Sequence, residues 1–375
     1  IWFLPANNKV VAQPVGVVGI MAPWNYPVNL ALVPLASALA AGNRVMVKMS
    51  ELSDATSQVL ARLMRQRFSE DEVMVTGGDA QVAESFAALP FAHLLFTGSG
   101  RVGRKVMAAA AKNLTPVTLE LGGKCPALVS DDYSISEAAQ RILWGKTFNA
   151  AQTCVAPDYV MVPRGEARAF VEAMMEQYAH RFPNGALDDS YTSIIDQRNF
   201  DRLTAMVDQA RDAGASIFAA ERPTQTLAAA RKFPLTMVLN APPDSAVMCE
   251  EIFGPVLPVL EYDGLDDALR QINQGEHPLG LYYFGHSSEG RRQVIEGSLS
   301  GGVAVNDVML QFLQVDMPFG GVGASGFGRY HGRAGFETFS NLKSVFVQRG
   351  VGNFTGLKLL YPPYGNLGRM VIRLM

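Results

Sequence analysis

The segment FNAAQTCVAP (148–157) carries one thiol, Cys154, among small, amide and apolar residues. A thiolate is a strong nucleophile, but an ordinary thiol, with a pKa of about 8.5, is only a few per cent ionised at neutral pH, so reaction needs a base or dipole nearby. A cysteine that merely packs in a core is the competing reading. Glu120 lies in the apolar run VTLELGGKCP (117–126). Desolvation there raises a carboxylate's pKa toward the range useful to a general base, although a hydrogen-bonded structural carboxylate fits the same pattern. Asn25 stands in APWNYP (22–27) between two prolines that stiffen the turn. Its amide N–H is the kind of donor an oxyanion requires, and a plain turn asparagine is the alternative.

Three more segments suit a nucleotide. In FTGSGRVGRKV (96–106), Gly98, Gly100 and Gly103 match GxGxxG between a strand and a helix, whose first N–H groups and dipole favour phosphate. The match follows the fourth strand rather than the first, and a tight turn with close helix packing explains the glycines equally. VMVKMSEL (45–52) ends a strand with Lys48 and Glu51, placed to bond a ribose diol if the strand belongs to a parallel sheet; a solvated ion pair is the plainer account. CEEIFGPVLPV (249–259) sets Glu250 and Glu251 beside Phe253 at a turn.

The elements that must position these residues alternate. From residue 15 to about 121, short β-branched runs (VGVVGIMA, RVMVKMS, EVMVTGG, HLLFTGS, PVTLELGG) are separated by helical stretches. That predicts an α/β fold with a doubly wound parallel sheet covered by helices, binding ligands beyond the carboxyl ends of its strands. A second α/β region follows Gly123, with PALVS, YVMVP and FPLTMVLN as strands and helices near 134–148, 166–181 and 197–213. SVFVQRG (344–350) reads as a late, separate strand.

Composition narrows the classes. The 375 residues suffice for two or three domains, and a net charge of −3 with no long basic run argues against nucleic acid and anionic membranes as partners. The apolar stretch 17–42 is interrupted by Pro23, Pro27 and Pro34, against a membrane span. Three cysteines without CxxC fit a reducing compartment such as the cytoplasm, and five scattered histidines without HExxH leave no metal site expected. The opening IWFLPANNKVV is not a signal peptide and lacks an initiator Met, which suggests a processed or truncated form.

In order, PWNYP, KMSE, FTGSGRVG, LELGGKCP, FNAAQTC, EEIFGPV and PFGGVGASGFGRYHG (318–332) resemble the motif series of the NAD(P)-dependent aldehyde dehydrogenase superfamily, over residues 13 to 350. NAAQTCVAPDY, VNDVML and the YPPY tail resemble its class 3 branch, which includes coniferyl aldehyde dehydrogenases. The resemblance implies that Cys154 is the nucleophile, Glu120 the general base, and Asn25 with the Cys154 N–H the oxyanion hole. It implies that Lys48 and Glu51 contact the adenosine ribose, that Gly98 and Ser99 lie at the helix N-terminus against the pyrophosphate, that Gly103 belongs to the cofactor-binding set, and that Glu251 and Phe253 place the nicotinamide ribose and ring. NAD is the expected cofactor, because Glu51 would repel a 2′-phosphate, with NADP also possible. The expected substrate is a hydrophobic aldehyde, aromatic or medium to long chain; Tyr26, Leu30, Trp144 and Phe148 flank the motifs and could line its tunnel or simply pack.

The same resemblance implies a cofactor domain over 13–122 lacking an N-terminal helical segment, a catalytic domain over 123–340, and bridging segments 1–12 and 341–375 that make a homodimer. Two departures stand out: KMSE for KPSE, and FNAAQTC for FNAGQTC, where Ala151 is strained only if φ is positive. Rival readings are a coenzyme A-acylating enzyme, opposed by retention of Glu120, and a catalytically silent binding or structural relative.

Overall fold

The computed structural model describes residues 6–349 and 361–374. Fifteen strands are described: β1 (Asn7–Pro14), β2 (Val17–Met21), β3 (Arg44–Lys48), β4 (Val73–Thr76), β5 (His93–Thr97), β6 (Val117–Glu120), β7 (Pro126–Val129), β8 (Tyr159–Pro163), β9 (Ser216–Ala219), β10 (Thr236–Leu239), β11 (Val256–Tyr262), β12 (Gly280–Phe284), β13 (Gly302–Val305), β14 (Gly326–Phe327) and β15 (Ser340–Val347). They form sheets of six, seven and two strands.

The first sheet has the order β14-β6-β5-β2-β3-β4, parallel except for β14. Helices Asn29–Ala40, Asp54–Arg65, Ala80–Ala87 and Gly100–Ala111 make the crossovers. Chain progression runs one way from β2 to β3 and β4, then the other way to β5 and β6, so the crevice between β2 and β5 is the topological switch point. This explains why the GxGxxG match follows β5 rather than β2: both strands flank the same crevice.

The second sheet runs β13-β12-β7-β8-β11-β10-β9, parallel except for β9. Its central strands are buried on both faces, as their unbroken apolar sequence requires. The two sheets present opposite ends to one another. The carboxyl ends of β2, β3, β5 and β6 carry the cofactor-type motifs, and the loops entering β7, β8 and β11 carry Gly122–Lys124, Cys154 and Glu251.

β1 and β15 form the antiparallel two-stranded ribbon, in register from Asn7↔Val347 to Pro14↔Ser340 and largely exposed. The inner limits of the bridging segments expected at 1–12 and 341–375 fall beside this ribbon; residues 1–5, 350–360 and 375 lie outside the described set. β14, from within 123–340, returns to the first sheet and pairs with β6, Gly326 opposite Glu120.

Candidate active site

Register brings the first set of residues together. Met21 pairs with Lys48 on one side and Phe96 on the other, and Thr97 pairs with Glu120, so Asn25, Lys48, Gly98, Ser99 and Glu120 all leave one sheet edge. Ser99 caps helix Gly100–Ala111 with extended backbone, its side chain makes no capping bond, and the first turn contains no acid. The helix N-terminus is therefore open to an anion. A Cβ at Gly103 would lie 2.8 Å from Leu121, so the missing side chain allows close helix-to-sheet packing behind this loop. Lys48 is buried, with its ammonium 3.5 Å from the half-exposed Glu51 carboxylate.

The cysteine loop is built by an unusual turn. Helix Ile135–Thr147 ends at Phe148, and Asn149, Ala150 and Ala151 then hold φ of 51°, 49° and 55°. Left-handed backbone at alanine is costly, so this reversal is held by its surroundings. Gln152 does much of the holding: its amide donates to Asn149 O (3.0 Å) and Ser193 O (3.1 Å) and accepts from Ile195 N–H (2.9 Å). Sequence reasoning assigned Gln152 no part, and its long-range bonds leave no local trace. Behind this loop, the Cys125 thiol donates to Cys154 O (3.4 Å) and accepts from Gly280 N–H (3.3 Å).

Asn25 reaches this loop directly. Its Nδ2 donates to Gln152 O at 3.0 Å, and Asn149 Nδ2 donates back to Asn25 O at 3.2 Å. An amide carries two N–H groups, so one of Asn25's remains for a ligand. The Tyr26 hydroxyl shares a 2.6 Å hydrogen bond with Thr153 Oγ1, next to Cys154. Tyr26 also stacks on Phe148 at 6.1 Å between centroids, and Phe148 meets Trp144 at 5.4 Å. Three of the four tunnel candidates thus form one aromatic row beside the cysteine loop, while Leu30 is 3% exposed on the inner side of its helix.

Burial sets the electrostatics. Cys154 has its thiol pushed up to about 12, first by desolvation and then by the Glu251 and Glu120 carboxylates. Glu120 is 2% exposed, and neither carboxylate oxygen has a hydrogen-bond partner among the described residues. Desolvation raises its pKa well above 4.5, opposed by Arg329, whose guanidinium donates to Gly321 O and to Gly328 O (2.8 Å). Glu251 is raised to about 7, by desolvation first and Asp158 next, against the Gly123 N–H, Lys124 and Arg202. Its carboxylate lies over Gly122, where a Cβ would come within 2.1 Å of Oε1. Phe253 takes φ 49° and meets Trp24 edge-on at 5.6 Å.

Sequence reasoning also passed over Lys124 and Asp158. Lys124 Nζ pairs with Asp158 Oδ2 and donates to Val247 O and Glu250 O, both at 2.9 Å, while Asp158 Oδ1 accepts from Ile252 N–H at 2.9 Å. Lys146, buried and with its pKa pushed down to about 8, chiefly by desolvation, donates to Pro157 O at 2.9 Å.

An aldehyde dehydrogenase family profile matches residues 5–345. The chain belongs to that family. Among curated relatives, a probable coniferyl aldehyde dehydrogenase of Pseudomonas aeruginosa is 49% identical over 373 residues, covering 99% of this chain and 77% of that one. A coniferyl aldehyde dehydrogenase of a Pseudomonas species is 44% identical over 365 residues, covering 97% and 76%. The substrate-bound structure of Staphylococcus aureus AldH superposes with a TM-score of 0.92 at 35% identity, covering all of this chain and 80% of that one. As a member of the family, this aldehyde dehydrogenase is an NAD(P)-dependent oxidoreductase.

Proposed function

We propose that this aldehyde dehydrogenase oxidises a hydrophobic aldehyde, of the aromatic coniferyl type or of medium to long chain, to its carboxylic acid, with Cys154 as nucleophile. The observation that carries the reading is the Asn25–Gln152 hydrogen bond, which joins segments 127 residues apart and puts an amide donor beside the cysteine loop.

The cofactor site fits a dinucleotide. The open N-terminus of helix Gly100–Ala111 at Gly98 and Ser99 suits a pyrophosphate, Lys48 and Glu51 suit the adenosine ribose, and the Gly122 cradle holds Glu251 for the nicotinamide ribose beside Phe253. Glu51 favours NAD, because a carboxylate bonds a ribose diol and repels a 2′-phosphate. When bound, the cofactor supplies the acceptor for a hydride leaving the substrate carbon.

The chain's own residues do the rest. Cys154 Sγ adds to the aldehyde carbon as its proton is lost to a base, and the resulting oxyanion is held by the free Asn25 N–H and the Cys154 backbone N–H. A thiol near 12 is almost wholly protonated at neutral pH, so addition must be coupled to that proton loss. Loss of hydride from the thiohemiacetal leaves a thioester on Cys154. Glu120 takes a proton from water as the water attacks this thioester, and collapse expels the Cys154 thiolate and releases the acid. Burial without hydrogen bonds raises Glu120's proton affinity, and the residue acts as base in its ionised fraction.

The aromatic row Tyr26, Phe148 and Trp144 supplies apolar surface for the aldehyde's tail. The exposed β1–β15 ribbon is too small to be stable alone, which favours a second copy covering it in a homodimer. A nucleophilic thiol also suits a reducing, cytoplasmic setting. The test is steady-state NADH formation across aromatic and aliphatic aldehydes. Turnover rising with apolar tail size supports the reading, and no turnover with any aldehyde overturns it in favour of a silent relative.

A further inference from the structure

Glu251 sits between two tethered neighbours. Lys124 Nζ holds the carbonyl of Glu250, and Asp158 Oδ1 holds the N–H of Ile252. Arg202 adds a third bond, donating to Ile252 O at 2.6 Å. The two anchoring side chains also pair with each other, and both are largely buried, at 17% and 5% side-chain exposure. Lys124 has spent all three of its N–H donors, on Asp158, Val247 O and Glu250 O, so it has no capacity left for a ligand of its own.

The chain positions of the pair give it a particular reach. Lys124 follows Gly122 and Gly123, the segment that leaves Glu120 and forms the cradle under the Glu251 carboxylate. Asp158 lies four residues beyond Cys154, and its own N–H donates to Cys125 O at 2.8 Å. One ion pair therefore ties together the segments bearing the base, the nucleophile and the ribose carboxylate. Surface ion pairs seldom do more than decorate a fold, but a buried pair with every donor and acceptor satisfied imposes one register on the segments it joins.

We propose that the Lys124–Asp158 pair is a positioning device that fixes Glu251 for the nicotinamide ribose; the inference rests on the assignment of Glu251 to that ribose. The pair touches neither substrate nor cofactor and acts through the backbone on either side of Glu251.

The experiment measures NAD⁺ binding by titration calorimetry without aldehyde, together with Tm and the alkylation rate of Cys154 by iodoacetamide. The proteins are wild type, Asp158→Asn, Lys124→Gln, Glu251→Gln and the double variant Asp158→Asn/Glu251→Gln. Asp158→Asn keeps the shape and the oxygen facing Ile252, so it is the gentler of the two pair variants. Both pair variants are expected to weaken NAD⁺ binding ten-fold or more, and the double variant to bind no more weakly than Glu251→Gln alone, because residues acting as one unit are not additive. A lowered Tm with NAD⁺ affinity within two-fold of wild type, or fully additive losses in the double variant, overturns the proposal and leaves the pair a purely structural role. If Glu251→Gln itself binds NAD⁺ as wild type does, the assignment of Glu251 fails instead. A pair variant that does not fold is replaced by the other, and failure of both to fold with Glu251→Gln stable counts against a positioning role.

Discussion

Replacing Glu120 by Gln should make this enzyme both more stable and unable to turn over. Glu120 is 2% exposed, with both carboxylate oxygens unpaired among the described residues, and burial raises its pKa well above 4.5. The sign follows from proton counting. Below pH 4.5 the folded and unfolded chains both carry the proton and nothing is lost. As pH rises, the unfolded chain releases its proton while the native chain keeps it, so stability falls by about 1.4 kcal/mol per pH unit until the native pKa is reached. From about pH 5 up to that native pKa the cost grows steadily with pH. Glutamine removes the pH-dependent part while keeping the shape. With roughly 2.1 cal/mol/K of unfolding entropy per residue, the variant of this 375-residue chain should gain about 2 °C in relative Tm per pH unit over that range. Differential scanning calorimetry of the two proteins at pH 5, 6 and 7 reads the difference directly, and any constant penalty from the new amide cancels. In stopped flow the variant should release one NADH per active site and then stop, because the thioester is not hydrolysed. A Tm difference that stays flat or shrinks with pH would show Glu120 ionised in the native state, and an unchanged steady rate would remove it as the base.

Other perturbations test the surroundings. Ala151 is 1% exposed at φ 55°, so Ala151→Gly trades about 1–2 kcal/mol of relieved strain against a lost methyl and added chain entropy of similar size, leaving Tm nearly unchanged. Ala151→Val should cost at least about 2 kcal/mol and slow alkylation of Cys154, since a β-branched residue suits neither the backbone nor the space; equal Tm for the two variants would show the turn to be unstrained. Gly103→Val should lower Tm by crowding Leu121 while NAD⁺ affinity of the folded protein stays within two-fold, and a ten-fold loss of affinity at constant Tm would place Gly103 in the phosphate loop. Glu51→Gln should shift the NADP⁺ to NAD⁺ ratio of kcat/KM upward by about ten-fold, or 1.4 kcal/mol, and an unmoved ratio would deny Glu51 a part in cofactor choice.

Several of these residues were visible in the sequence because their signals are local. Alternating apolar strands and helices follow from backbone periodicity, and they predicted the order from β2 to β6 and the second α/β region. Cys154, Glu120 and Asn25 drew notice as polar or reactive groups in apolar or proline-bounded settings, before the motif order added their roles. Ala151 was flagged by type, but its positive φ became a fact only in the fold.

Tertiary structure decided the rest, for one physical reason: the deciding contacts join positions far apart in the chain. Gln152 spans 43 residues to Ile195, Lys124 spans 126 to Glu250, and Asp158 spans 94 to Ile252. None leaves a periodicity or turn preference to read. β14 could not be assigned to the first sheet from two residues of sequence, because its pairing depends on Glu120 being there to receive it. Gly103 met the GxGxxG pattern, and only the fold showed how closely Leu121 packs against it. By itself, then, the sequence determined which chemical groups this aldehyde dehydrogenase has and in what order. Packing decided which of them share an environment, and so which carboxylates gain proton affinity and which segments are tied to the Cys154 loop.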